Sequence, residues 1–118
     1  MINRRSFIVG IKGVRLNKNE IKFLKNYKPW VIILLSKNLK DVKQIKNLTK
    51  RIRKIFNDKN YPIMIDQEGG RVNRLNRFIA LDQFTPEYFG KLFTSNKKQF
   101  NLIYKLFIDK ISFFLSNL

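Results

Sequence analysis

The chain has 118 residues, 44% of them apolar and 28% charged, with 25 Lys and Arg against 8 Asp and Glu for a net charge of +17. That length holds one small domain, and 11 Phe, 4 Tyr and 1 Trp supply more surface to bury than a long disordered chain carries. Cysteine and histidine are both absent, which excludes disulfides, thiolate metal sites, cysteine nucleophiles and every catalytic arrangement that turns on an imidazole.

At the N-terminus a basic stretch, Arg4-Arg5, precedes a short apolar run, Phe7 to Ile11, which Lys12 and Arg15 interrupt. A secretory signal needs a longer apolar core, and the longest apolar run, Trp30 to Leu35, falls far short of the ~20 residues of a membrane span. A cytoplasmic location with no membrane contact is the expectation. Phe7 to Ile11 is itself short and rich in β-branched residues, which predicts a strand buried on both faces. Asn17 with Glu20 three residues on has the pattern of a capping box, and a helix is expected from there to Tyr27, closed by Pro29. Trp30 to Leu35 predicts a second buried strand. A polar turn, Ser36-Lys37-Asn38, leads to Asp41 as a second N-cap. Val42, Ile45, Leu48, Ile52, Ile55 and Phe56 then form one face of a helix. Asn57 to Asn60 is a loop, and Pro62 to Ile65 a third buried strand.

Beyond Ile65 the chain reads as irregular to about Gly90. The last segment, from Phe100 to Leu118, is helical, with apolar residues recurring at spacings of three and four; such a stripe belongs to core packing. The predicted order is β-α-β-α-β-loop-α, the order of βαβ units joined by right-handed crossovers. The fold class is therefore α/β. It is either a compact three-stranded domain or the first three βα units of something larger. The last helix favours the second, because it is apolar around most of its circumference and expects neighbours.

The basic excess has a plain explanation. Lys, Ile, Asn and Phe make up nearly half the chain, and all four have A/T-rich codons, so a biased genome produces this composition without selection for charge. The lysines are spread along the helical segments, as on a solvated basic surface, and do not form one block. A net charge of this size still attracts polyanions through counterion release.

One segment carries chemistry: Asp66-Gln67-Glu68-Gly69-Gly70-Arg71-Val72-Asn73-Arg74. A buried strand runs straight into a carboxylate, and in parallel α/β folds the carboxyl ends of strands hold the ligand-binding residues. Two glycines allow a sharp turn, and Arg71 and Arg74 can contact carboxylate or hydroxyl-rich ligands in bidentate fashion. Asp66 and Glu68 have the separation of a glycosidase-like carboxylate pair if both lie on one strand face. The alternative is that Asp66 orients a ligand or the loop while Glu68 pairs with Arg71 or a neighbouring turn.

Ile63 to Arg74 resembles the D-Q-E-G-G-R-V-x-R signature of family 3 glycoside hydrolases, most closely the bacterial β-N-acetylhexosaminidases of cell-wall recycling. Val31 to Asn38 is similar to that family's G-x-I-L-F-x-R-N segment, with Lys37 in place of Arg and Leu35-Ser36 in place of the Phe-containing pair. The resemblance extends over roughly residues 7–115 and implies a (β/α)8 TIM barrel of which residues 1–118 supply about the first three βα units, as an N-terminal portion of the catalytic barrel. It implies that Asp66 and Arg74 bind substrate, Asp66 as an acceptor of hydrogen bonds from sugar hydroxyls and not as a nucleophile. The implied substrate is a small carbohydrate containing N-acetylglucosamine, cleaved by a retaining mechanism. The family's acid/base histidine and nucleophilic aspartate lie on later segments that have no counterpart here. No catalytic residue is therefore assigned, and the chain alone is expected to be inactive. No cofactor, no metal and no specific nucleic-acid partner is expected. Two other functions stand beside this one: a basic module that binds nucleic acid non-specifically, and a phosphate-binding α/β domain, for which Gly69-Gly70 is a weak signal without either phosphate-loop pattern.

Overall fold

The first half of the chain is built on three short strands. In the computed structural model, which describes residues 3–70 and 72–118, these are β1 (Arg5–Gly10), β2 (Pro29–Leu34) and β3 (Ile63–Ile65). They form one parallel sheet in the order β1-β2-β3. The crossovers are α1 (Lys18–Tyr27) and α2 (Val42–Phe56). The described residues divide into two compact units, the first ending at Asp66 and the second comprising Gln67–Leu118.

In the first unit the cross-strand register places Val9, Ile32 and Ile63 in one row and Gly10, Ile33 and Met64 in the next. Ile32 and Leu34 are fully buried and share the core with Leu24 of α1 and Ile45, Leu48 and Ile52 of α2. Each such side chain contributes about 1.5–3 kcal/mol by leaving water. On the opposite face Ile8 is 55% exposed and Met64 46% exposed. The expectation of strands buried on both faces therefore holds only for β2. Among the described residues β1 and β3 pair on one side alone, and as edges they alternate exposed with half-buried positions.

The helix signals in this unit are realised as the spacing predicts. Asn17 caps α1: its Oδ1 accepts from the Glu20 amide at 2.9 Å, and Glu20 accepts in return from the Asn17 amide at 2.8 Å. The other Glu20 oxygen accepts from the Lys12 amide at 2.7 Å, which ties the incoming loop to the helix. Asp41 caps α2 through the Gln44 amide at 2.8 Å. Lys28 and Asn57 end the two helices in the left-handed conformation.

At the amino-terminal end of the sheet, Tyr61 is buried and stacks on Phe56 with ring centroids 3.9 Å apart. Its hydroxyl donates to the Pro29 carbonyl at 2.8 Å. Arg4 lies over the Tyr61 ring at 4.8 Å and forms an ion pair with Asp58. Burial pushes the Tyr61 phenol up to about 12, with Arg4 pulling in the other direction.

The second unit contains α3 (Pro86–Ser95) and α4 (Lys97–Ser116), packed as a hairpin. The sequence expectation of irregular chain to about Gly90 misses α3. Its start carries ordinary signals: the Thr85 hydroxyl accepts from the Tyr88 amide at 3.0 Å, Pro86 opens the helix and Glu87 lies in its first turn. Gly90 and the shortness of the element obscure the apolar period. Phe89 of α3 packs against Phe100, Tyr104 and Phe107 of α4, with ring centroids 5.0–6.1 Å apart. No residue of α4 is fully buried, and Phe113, Leu102 and Leu106 are 72%, 61% and 60% exposed.

The raised Tyr61 pKa has a stability consequence. The unfolded phenol titrates near 10 and the folded one near 12, so the folded state keeps a proton that the unfolded state loses. This contribution is complete below pH 10 and disappears as pH rises from 10 to 12. Urea unfolding followed from pH 7 to 12 is expected to show a shallower alkaline decline for Tyr61→Phe than for the wild type. At pH 7 the variant is expected to be less stable by ~1 kcal/mol, the value of one hydrogen bond.

Candidate functional site

Parallel pairing brings the carboxyl ends of the strands to one edge of the first unit. Leu34 pairs with Ile65, so Leu35 and Asp66 leave the sheet at the same level. This is the edge at which parallel α/β sheets bind ligands. The loops there are tied together by Asn38, at the end of the short 3-10 turn Ser36–Asn38. Asn38 is completely buried. Its Oδ1 accepts from the Leu35 amide at 2.9 Å, and its Nδ2 donates to the carbonyls of Ile11 at 3.1 Å and Gly13 at 2.9 Å. Gln44 adds a second tie, donating to the Val14 carbonyl at 2.7 Å and to the Asn38 carbonyl at 3.1 Å. The loop after β1 is thus held by side chains from the loop after β2 and from α2. In the sequence Asn38 is only a turn residue; its burial is what makes it a structural tie.

Asp66 is the first residue past β3 and is half-buried. Glu68 is exposed. The two do not form a strand-spaced pair. β3 ends at Ile65, and the Glu68 amide already donates to the Val72 carbonyl at 3.2 Å in the following turn. The two-residue period that would put both carboxylates on one face is lost there. Arg71, with its suggested pairing to Glu68 and its ligand contacts, lies outside the described residues.

The second unit opens with that turn. Gly69 and Val72 exchange backbone hydrogen bonds at 3.1 Å, and Gly69 and Gly70 have φ of +84° and +55°, a region costly for any residue with a Cβ. Gln67 closes the loop: its Oε1 accepts from the amides of Arg74 at 2.9 Å and Leu75 at 3.2 Å, and its Nε2 donates to Asn73 at 3.1 Å. Asn73 passes the chain of contacts on to Asp82 at 3.0 Å. Arg74 is half-buried, with its backbone set by Gln67, and Leu75 beside it is fully buried. Gln67, Glu68 and Gly69 also border a cavity of about 620 Å³ whose wall includes Phe84, Phe89 and Tyr104. Gln67 belongs to the motif, yet its role as the loop's internal clasp is not visible from spacing.

Chemically, an ionised Asp offers acceptors only, and an Arg offers a rigid fork of donors. Hydroxyl-rich ligands are held by groups of these two kinds. Among the described residues no group of three or more Asp, Glu, His or Cys is placed to hold a metal ion, and no helix is long and apolar enough to cross a membrane.

Two substitutions test these ties. Asn38→Ala strands the buried carbonyl of Ile11 and part-buried backbone groups of Gly13 and Leu35 and is expected to cost about 2 kcal/mol in urea unfolding. Gln67→Ala is expected to lower the hydrogen-exchange protection of the Arg74 and Leu75 amides while leaving β2 amides unchanged, because it removes a local clasp and no core contact.

No protein-family profile matches the chain. It is similar to a beta-hexosaminidase of Histophilus somni, with 34% identity over 73 residues, which is 62% of this chain and 21% of that protein. Among solved structures it is similar to NagZ from Neisseria gonorrhoeae in complex with N-trifluoroacetyl-D-glucosamine, with a TM-score of 0.55 and 32% identity over 62% of this chain and 22% of the other. It is also similar to a glycoside hydrolase family 3 beta-N-acetylglucosaminidase from Paenibacillus, with a TM-score of 0.55 and 26% identity over 63% of this chain and 15% of that one. The chain spans about a fifth of the length of the curated relative it matches. In both sequence and fold, then, it resembles part of a family 3 glycoside hydrolase of the β-hexosaminidase type.

Proposed function

We propose that the chain is an N-terminal portion of a family 3 β-N-acetylhexosaminidase. That enzyme is a (β/α)8 barrel removing terminal β-linked N-acetylglucosamine from peptidoglycan-derived fragments in the cytoplasm, with retention of configuration. The observation that carries this proposal is the position of Asp66: a carboxylate directly after β3, at the carboxyl edge of a parallel sheet, opening the Asp66 to Arg74 motif. The ligand of the similar NagZ structure, N-trifluoroacetyl-D-glucosamine, supports the sugar class.

In this mechanism Asp66 accepts hydrogen bonds from hydroxyls of the terminal sugar, and Arg74 is a further substrate-contacting position. Charge-assisted bonds of this kind are about twice as strong as neutral ones and fix the orientation of the ring. Turnover needs an acid/base and a nucleophile as well. The 118 residues contain no histidine, and neither Asp66 nor Glu68 is assigned as nucleophile. The proposed contribution of the chain is therefore substrate binding, and alone it does not turn substrate over.

The test is a titration of the full chain with N-acetylglucosamine, followed by backbone amide NMR, with 4-nitrophenyl N-acetyl-β-D-glucosaminide as the turnover substrate. The sugar is expected to shift the Asp66 amide saturably. Asp66→Asn is expected to weaken binding about tenfold, the equivalent of ~1.4 kcal/mol for one charged hydrogen bond. No 4-nitrophenol is expected from either protein. Equal binding by wild type and Asp66→Asn, or no response at Asp66, would overturn the assignment of the sugar site. Release of 4-nitrophenol by the chain alone would overturn the claim that it only binds.

A further inference from the structure

The first unit has another concave feature. A cavity of about 810 Å³ runs between the loop after β1 and the exposed side of α2. Four cations border it: Arg15 from the loop, Lys40 just ahead of α2, and Lys43 and Arg51 from the helix. Lys43, Asn47 and Arg51 follow one another at four-residue spacing, so they form a single stripe along the helix. The floor is apolar, made by the buried Leu16 and Leu48. The amide side chains of Gln44 and Asn47 stand among the cations.

Three properties separate this groove from a basic surface that is merely solvated. First, all four residues are exposed, and none forms an ion pair among the described residues. Second, among the described residues a single carboxylate borders the groove, Asp41, the cap of α2, so positive charge remains in excess there. Third, the loop that carries Arg15 is preorganised. The carbonyl of the preceding residue, Val14, accepts from Gln44, and Gly13 is held by Asn38. A ligand drawn to Arg15 therefore meets a backbone whose ordering is already complete, which lowers the entropic cost of binding. A concave site walled by low-dielectric protein and lined by one sign of charge also concentrates field more than a flat surface does.

We propose that this groove binds a compact phosphorylated small molecule carrying two or more phosphate groups. The Arg15 and Arg51 guanidinium groups would engage phosphate oxygens in bidentate fashion, and Lys40 and Lys43 act as point charges. The apolar floor of Leu16 and Leu48 accommodates the uncharged part of the ligand. The volume falls in the ordinary range for small-ligand sites. The net charge alone does not single out this place, because lysines occur along the whole chain; the convergence of four unpaired cations on one cavity does.

The probe is inorganic tripolyphosphate, titrated into the full chain by calorimetry in 150 mM NaCl. Arg15→Gln, Lys43→Gln and Arg51→Gln are combined in one variant. A control variant combines Lys18→Gln, Lys22→Gln and Lys59→Gln, three exposed positions that do not border the cavity, so both variants carry the same net charge. Circular dichroism confirms that each is folded. One-to-one binding by the wild type is expected, weakened tenfold or more in the groove variant and changed less than twofold in the control. Equal weakening in both variants would show diffuse attraction to net charge and overturn the site, as would the absence of saturable binding by the wild type. A 12-residue oligothymidylate provides the last arm. If it displaces tripolyphosphate and binds more tightly in a groove-dependent way, the occupant is a nucleic-acid backbone and the small-molecule assignment fails.

Discussion

Parallel pairing of three short strands is the constraint on which the first unit depends. A parallel pair cannot be closed by a tight turn, so each strand must be followed by a helix that returns the chain to the starting edge. α1 and α2 do this, and their apolar stripes bury Ile32 and Leu34 of the central strand. The same geometry sends every strand in one direction. The loops after β1 and β2 and the residue after β3 consequently gather at one edge, while Arg4, Phe56 and Tyr61 gather at the other. The amino-terminal edge is closed by stacked rings, an ion pair and the hydrogen bond to Pro29. The carboxyl edge is where Asp66 emerges. The stabilising ring stack and ion pair thus lie at the end of the sheet opposite to the one where Asp66 emerges.

The carboxyl edge is ordered by polar side chains inside the protein as well as by buried Ile11, Leu16 and Leu39. A loop places backbone donors and acceptors where water is partly excluded, and each must find a partner. Asn38 meets three such groups at once, and Gln44 two more. Gln67 performs the equivalent service for the turn in the second unit. In each case an amide side chain, which carries both a donor and an acceptor, replaces the regular ladder that loops lack. The outcome is a set of loops with defined backbones on which Asp66, Arg74 and Arg15 are mounted.

The second unit is organised differently. The α3–α4 hairpin is held by aromatic rings meeting edge to face, centred on Phe89. α4 nonetheless leaves Leu102, Leu106 and Phe113 in water. Its apolar character extends around more of its surface than α3 alone covers.

Much of this architecture was legible in the residues themselves. The capping pair Asn17 and Glu20, the cap at Asp41, the stripe from Val42 to Phe56 and the three β-branched runs are local signals, set by hydrogen-bond spacing and apolar period, and they survive into the structure nearly unchanged. The motif from Asp66 to Arg74 was legible as well, since a carboxylate following a buried strand and a pair of glycines is a pattern of adjacent residues. What depends on distant parts of the chain was not. Exposure of β1 and β3 is decided by how many partners a strand has, which no strand's own sequence states. α3 was hidden because a short helix with a central glycine has too weak a period to stand out from a loop. The unequal surroundings of Asp66 and Glu68 come from where β3 stops pairing. The burial of Asn38, the clasp made by Gln67 and the convergence of Arg15 with Lys43 and Arg51 bring together residues far apart in the chain or in roles that spacing does not reveal. The sequence by itself determined the strands and helices of the first unit, the caps at Asn17 and Asp41 and the run of residues from Asp66 to Arg74, because those rest on near neighbours. The tertiary structure alone decided which polar side chains became internal ties and which cations came to share a groove, because burial and proximity are properties of the packed chain.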